Sequence, residues 1–385
     1  MLSRISVVRS APRLFVVPVR YKTSSVEGSV AQSKGFSKKE KAHEDEYVHR
    51  HELELLQKIR NEGPSMLASA CISRHAPLVV ELVITGFIST RIPPLYIFCD
   101  TLASAIEKFT NLSKITLCPS TFHETFLAKS LEILPSLTHL RDLTVNSSCM
   151  GSETVPLLVQ INQLCKLTLH SPGRLILNAL PEWLERLSPT LIGLHLKDNC
   201  GSITPGVLNS FVPHIREHLR ELTLGLSYSL TDDDVFTALT QIPNLERLQL
   251  LYYLQLSPPK TVLRLTRLRS FTFLVDTVPS TRSDALALCR WIKRIISNAP
   301  LEVLRLVCDD PSVTTAHVPV DNIVDHLVTK HHTTLRVLDL AETYVGLEAT
   351  RAILTRCVGL EELCLAARRE VLVSMLVKAF LGDIN

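Results

Sequence analysis

From about residue 78 onward the apolar residues recur as Leu-x-x-Leu-x-Leu, a phrase in which alternate positions of a strand face one side. It runs through Val79/Leu82/Ile84, Leu112/Ile115/Leu117, Leu140/Leu143/Val145, Leu164/Leu167/Leu169, Leu191/Leu194/Leu196 and Leu219/Leu222/Leu224. It continues through Leu245/Leu248/Leu250, Leu268/Phe271/Phe273, Leu301/Leu304/Leu306, Leu335/Leu338/Leu340 and Leu360/Leu363/Leu365. Successive phrases lie 23 to 34 residues apart, centred on the spacing of repeats that pair one strand with one outer helix or turn. The three longest intervals predict fuller helices or loops. Between strands the period turns helical, as at Thr231-Asp-Asp-Asp-Val-Phe-Thr-Ala-Leu, where Thr231 is an N-cap and the acids fill the first turn. The expected architecture is an α/β solenoid of parallel strands with outer helices, each unit burying its face against its neighbours.

A different pattern precedes it. Ser37 followed three residues later by Glu40 is a capping box, and Phe36 ahead of the cap can staple onto the first turns. Glu40, Glu44, Asp45 and Glu46 lie early in the predicted helix, where the macrodipole favours anions. Val48, Leu55, Leu56 and Ile59 fall close to one face, a narrow stripe on an otherwise charged helix. Gly63-Pro64 stops it. Two readings fit: a helix that docks on a foreign partner, or a solvated helix lying on its own domain.

Composition adds three points. At 385 residues with 46% hydrophobic content and a mean hydropathy of +0.19, the chain can bury a large core, and the polar first hundred residues cannot supply it. The first 26 residues carry Arg4, Arg9, Arg13, Arg20 and Lys22 with no acid before Glu27, the composition of a mitochondrial transit peptide addressed to the matrix. The net charge of +3 comes largely from that stretch, no basic stripe with interleaved aromatics suggests nucleic-acid binding, and no apolar run is long enough to insert in a membrane. The expected divisions are a transit peptide over 1–22, a charged helical segment over 23–62, a linker over 63–77 and the repeat domain over 78–385.

Over residues 20–62 the chain resembles the mitochondrial ATP synthase inhibitor family. The string that carries the likeness is met by Gly35, Phe36, Lys38, Lys39, Glu40, Ala42, Glu44, Asp45, Tyr47 and Val48, with the family's later apolar positions at Leu56 and Ile59. The resemblance implies a segment that enters the catalytic head of ATP synthase and blocks ATP hydrolysis, with Phe36, Lys38, Lys39, Glu40, Glu44, Tyr47, Val48, Leu56 and Ile59 as the contacts. Two departures follow. His49 and His51 stand where the family usually has Arg, and together with His43 they make the segment's charge titratable near neutral pH. Gly63-Pro64 cuts the helix where the family continues as a coiled coil. The repeat half resembles the irregular leucine-rich-repeat regions of fungal F-box-type proteins, in phrases such as Pro243-Asn-Leu-Glu-Arg-Leu-Gln-Leu. A complete F-box does not fit between Arg60 and Leu78. That resemblance implies an unknown protein partner on the repeat face, and a second reading of the whole chain as an interaction scaffold or ubiquitin-ligase substrate receptor. A third reading joins two gene products near residues 61–77.

Catalytic chemistry finds little support. The ten cysteines include no Cys-x-x-Cys pair, and several lie within or beside strands, where a reduced cysteine is a small buried hydrophobe. His43, His49 and His51 do not share one helical metal face, and His331-His332 reads as a loop pair. Gly-x-Ser-x-Gly, a phosphate-cradling loop and His-Glu-x-x-His are missing. Asp232–Asp234 and Asp309-Asp310 read as a helix start and a strand end. The expectation is a non-enzyme with no cofactor and no metal.

Overall fold

A computed structural model describes residues 3–8, 73–87, 95–120, 125–252, 259–275, 281–308 and 319–367. Twelve strands form one sheet in the order β1-β12-β11-β10-β9-β8-β7-β6-β5-β4-β3-β2. They are β1 (Ser3–Val8), β2 (Glu81–Phe87), β3 (Lys114–Ser120), β4 (Asp142–Val145), β5 (Lys166–His170), β6 (Gly193–Asn199), β7 (Glu221–Leu226), β8 (Arg247–Tyr252), β9 (Ser270–Val275), β10 (Val303–Cys308), β11 (Val337–Tyr344) and β12 (Glu362–Ala367). Strands β2 to β12 pair parallel in chain order, and β1 closes the far edge antiparallel to β12, with Ser3 opposite Ala367 and Val8 opposite Glu362.

The helices alternate with the strands: α1 (Leu95–Lys108), α2 (Ala128–Ile133), α3 (Val155–Leu158), α4 (Arg174–Leu187), α5 (Pro205–Ile215), α6 (Asp232–Thr240), α7 (Arg282–Ile296), α8 (Asp321–Lys330) and α9 (Leu347–Arg356). Three of the connections follow the wide spacings in sequence and hold α1, α7 and α8, where the extra residues have room to coil. Caps set several starts. Thr231 accepts from the Asp234 amide at 3.3 Å while the Asp234 carboxylate accepts from the Thr231 amide at 2.9 Å, a complete capping box. Thr204 and Thr281 cap α5 and α7 in the same way, each accepting an amide three residues on.

Every leucine phrase falls where the alternation places it. The second and third apolar positions of each strand, from Leu82/Ile84 to Leu363/Leu365, face the helices and belong to one continuous core. Side chains such as Leu117, Leu167, Leu194 and Leu338 are fully buried, each worth roughly 1.5–3 kcal/mol relative to exposure. The first leucine of the phrases from Leu112 to Leu335 closes the turn before its strand and is buried as well, while Val79 and Leu360 at the two ends are half-buried. Between β8 and β9 no helix occurs among the described residues, and β9 carries Phe271 and Phe273 where other strands carry aliphatics. Phe273 packs 4.9 Å from Trp291 of α7, which meets Phe236 of α6 edge-on at 5.4 Å, so three repeats are tied by rings.

The turn entering each strand repeats a single device. One carbonyl accepts from two successive amides of the next repeat: Val80 from Ser113 and Lys114, Ser113 from Arg141 and Asp142, Cys165 from Ile192 and Gly193, and onward to Arg336 from Glu361 and Glu362. Each repeat thus satisfies its neighbour's entering backbone, which fixes register across the whole sheet.

Candidate functional site: the open sheet face

Among the described residues the opposite sheet face carries no helix. Its side chains stand in lanes that run across the strands, because the parallel register aligns equivalent positions. The first lane is Glu81, Lys114, Asp142, Lys166, Gly193, Glu221 and Arg247, followed by Ser270, Val303, Val337 and Glu362. Charges of opposite sign alternate along its first half. The second lane, two residues further along each strand, is Val83, Thr116, Thr144, Thr168, His195, Thr223, Gln249 and Thr272, then Arg305, Asp339 and Cys364. From β3 to β9 this lane is polar on seven consecutive strands, with five hydroxyls, one imidazole on β6 and one amide on β8, and β-branched threonines favour the strand conformation.

At the centre of the face the first lane closes into a cluster. Residue 193 is glycine, and a Cβ there would lie 3.2 Å from His195 Nε2 and 3.3 Å from Lys166 Cγ. The gap lets Lys166 cross β6 and place Nζ 2.9 Å from a Glu221 carboxylate oxygen, while Arg247 bonds the same carboxylate from the other side. His195 Nδ1 meets Thr223 Oγ1 at 2.8 Å, and its Nε2 lies 3.7 Å from Glu221. Burial pushes the Glu221 carboxyl up, but the hydrogen bonds and charges of Arg247 and Lys166 outweigh it and hold the group below its ordinary value. His195 goes the other way: burial pushes it down to about 4 against the upward pull of Glu221, so the ring is neutral at physiological pH. Glu221 itself is 6% exposed, whereas Arg247 remains open to solvent.

Beyond the second lane, at the strand ends, His170 Nδ1 sits 2.7 Å from Asp198. Asp198 takes a positive φ of 59° where β6 shifts register against β7, and Ser171 takes 51° at the end of β5. Gly225 is required opposite this bulge, since a Cβ there would meet the Asp198 carbonyl oxygen at 2.5 Å. The bulge re-aims the chain at the rim of the face.

Other groups bear on chemistry. Burial raises the Cys149 and Cys200 thiols to about 12 and Cys289 to about 11, which keeps them protonated and poorly nucleophilic. Among the described residues no group of three or more His, Cys, Asp and Glu could hold a metal ion, and no helix is long and apolar enough to cross a membrane. Under the face, a void of about 30 Å³ between Leu224, Leu230, Val235, Leu250 and Trp291 has room for about one water.

The residues singled out from sequence as partner contacts, Phe36, Lys38, Lys39, Glu40, Glu44, Tyr47, Val48, Leu56 and Ile59, lie outside the described residues, as do His43, His49 and His51. His331 and His332 stand in the turn after α8, where the sequence placed them as a loop pair; His331 is buried there, its ring 5.4 Å from that of His326. The threonine lane and the Glu221 cluster went unmarked in the sequence reading. Their signal was there at the position between the two core residues of each phrase, where Thr recurs at 116, 144, 168, 223 and 272.

Parallel strands in chain order, a layer of helices on one face and an interlocking turn per repeat define a leucine-rich-repeat solenoid. No family model matches the chain, and no curated protein matches it. Solved structures that resemble it include the yeast Rad7 and Elc1 complex, at 14% identity and a TM-score of 0.40 over 84% of this chain and 85% of that one. A TLR13–ssRNA13 complex aligns at 16% identity and a TM-score of 0.35 over 68% of this chain and 36% of that one. A leucine-rich-repeat protein of Leptospira interrogans aligns at 13% identity and a TM-score of 0.32 over 74% of this chain and 84% of that one.

Proposed function

We propose that the repeat domain is a protein-interaction scaffold that binds its partner on the open sheet face. The observation that carries this reading is the pair of polar lanes, which place donors and acceptors at regular strand spacing on a sheet face that no helix covers among the described residues. Thr168 and Thr223 flank His195 at its centre but are themselves buried, so the half-buried Thr116, Thr144 and Thr272 are the hydroxyls a partner meets first. A partner protein seated there gains hydrogen bonds from groups already held in place, with little ordering cost. The test is to capture partners with the intact chain, rebuild the complex from purified components and measure affinity with Thr168→Arg and Thr144→Arg. The scaffold reading requires loss of at least about tenfold, the scale of a blocked interface centre. Unchanged affinity removes this face from the interface.

A second reading concerns the segment upstream. We propose that residues 23–62 inhibit ATP hydrolysis by mitochondrial ATP synthase, supported by the string from Gly35 to Val48 and the stripe ending at Ile59. On this reading residues 1–22 are a matrix address, and Glu44→Ala or Tyr47→Ala in a peptide of residues 24–62 weakens inhibition by about 1–2 kcal/mol. Equal inhibition by wild type and both variants shows the contacts to be misassigned. The same reading makes inhibition stronger at acidic pH, since protonated His49 and His51 restore the cations the family carries there. A reporter fused to residues 1–26 that stays cytosolic with its N-terminus intact removes the address. Cleavage near residues 20–23 also removes β1, the strand that pairs with the outer edge of β12 among the described residues.

A further inference from the structure

The charge of the repeat domain is segregated. Between Leu251 and Pro300 the chain carries eight Lys and Arg against two acids, whereas the fifty residues before have three against six and the fifty after have three against eight. The fold gathers this excess on the outer layer, away from the open sheet face. The stretch 259–269 turns Leu263, Leu265 and Leu268 inward and leaves Lys260, Arg264 and Arg267 exposed. The adjoining α7 buries Leu288, Trp291, Ile292 and Ile295 and exposes Arg282, Arg290 and Arg294. The two elements touch: Arg294 donates to the Pro259 carbonyl, and Asn298 Nδ2 donates to the Leu263 carbonyl at 3.2 Å. Among the described residues none of these six cations forms an ion pair, in contrast to Arg269, which pairs with Glu302 at 2.7 Å.

We propose that this surface binds an acidic protein segment laid along α7. Three observations select that occupant. Six of the eight cations are arginines, whose planar forks match carboxylates two bonds at a time. The basic zone is narrow: α7 has 15 residues, about 22 Å of helix. Acids border it on both sides, with Asp233 and Asp234 at the start of α6 and Asp321 and Asp325 on α8. A single carboxylate-rich chain fits that stripe. A lipid surface or a nucleic-acid duplex is broader and would meet the acidic borders, at a cost in repulsion. Among the described residues no exposed aromatic stands in the zone to stack on bases, and Val262 is the one large apolar side chain in solvent there.

The proposal is independent of the open-face reading, because the two surfaces lie on opposite sides of the sheet. The experiment uses the full chain and a fluorescent deca-glutamate peptide, with phosphatidylglycerol vesicles and duplex DNA as competing arms. Saturable peptide binding is expected, weakened by added salt and reduced at least about tenfold by the Arg264→Glu, Arg290→Glu pair. Arg174→Glu, an exposed cation at the start of α4, should leave binding unchanged. Circular dichroism confirms that each variant is folded; should the double variant unfold, the single Arg264→Glu change takes its place. Absent peptide binding, binding indifferent to Arg264 and Arg290, or preference for vesicles or duplex over peptide overturns the proposal.

Discussion

Lys166 and Glu221 form an ion pair at 2.9 Å although a whole strand, β6, runs between them. The contact exists because Gly193, on that strand, has no side chain to stand in the way. A lysine stem can then lie across the backbone, and a carboxylate that is 6% exposed receives two cationic donors and stays ionised.

Substitution at Gly193 tests this relationship. Gly193→Val places branched carbons where Lys166 Cγ and His195 Nε2 already lie within 3.3 Å of the first added atom. The expected cost is about 1–3 kcal/mol from overpacking and displacement of the Lys166 bond. Gly193→Ala should cost less, since both neighbours are movable side-chain ends. Chemical denaturation reads both; equal stability for wild type and Gly193→Val would show that the lysine does not depend on the gap.

The contrast between what the sequence displayed and what it hid has the same physical root. The leucines at the core positions repeat locally with period two, and so all eleven parallel strands from Leu82/Ile84 to Leu363/Leu365 could be placed from the chain alone. Thr231 and its acids were equally legible, because capping is decided within four residues. Lys166 and Glu221 are separated by a full repeat on either side of Gly193, and nothing in local pattern says that the intervening residue is small for their sake. Recurring Thr at 116, 144, 168, 223 and 272 was visible but reads as ordinary strand preference until register sets the hydroxyls side by side. The basic island could be counted from sequence, yet only the inward turn of Leu263, Leu265 and Leu268 shows that its arginines share one surface.

The capping box at α6 gives a second prediction. Thr231→Ala removes the acceptor for the Asp234 amide and the partner of the Asp234 carboxylate. A loss of about 1 kcal/mol is expected, with Thr231→Ser retaining most of the stability. Thermal melts of the three proteins decide it: identical midpoints for Ala and wild type would mean that the box is not formed in solution.

Trp183 supplies a third. Its ring is fully buried and its Nε1 donates to the Ile161 carbonyl at 2.9 Å, tying α4 to the turn before β5. Trp183→Phe deletes the donor, strands a buried carbonyl and leaves a void, for a loss of roughly 2–4 kcal/mol. Trp183→Leu should be worse still. Urea midpoints measure the cost, and a change below about 1 kcal/mol for Trp183→Phe would contradict tight packing at this site.

Acid should weaken the solenoid, and the sign follows from three groups. His195 and His331 are buried neutral, each pushed down to about 4 from 6.5, His331 further disfavoured by the neighbouring His326 ring. In the unfolded chain both take up protons near pH 6.5, so between there and pH 4 the unfolded state binds more protons and is favoured as pH falls. Glu221 acts in the same direction lower down, since its folded carboxyl lies below the ordinary value and its stabilising contribution is lost as pH drops through that range. The two histidines together should cost several kcal/mol by about pH 4, at most about 3 each. The check is unfolding free energy at a series of pH values from neutral to acid, for wild type and His195→Gln. Removing His195 from the open face should flatten the slope by about one proton without disturbing the core. Parallel curves for the two proteins would show that His195 titrates normally in the folded chain and that its burial against Glu221 and Thr223 is not maintained in solution.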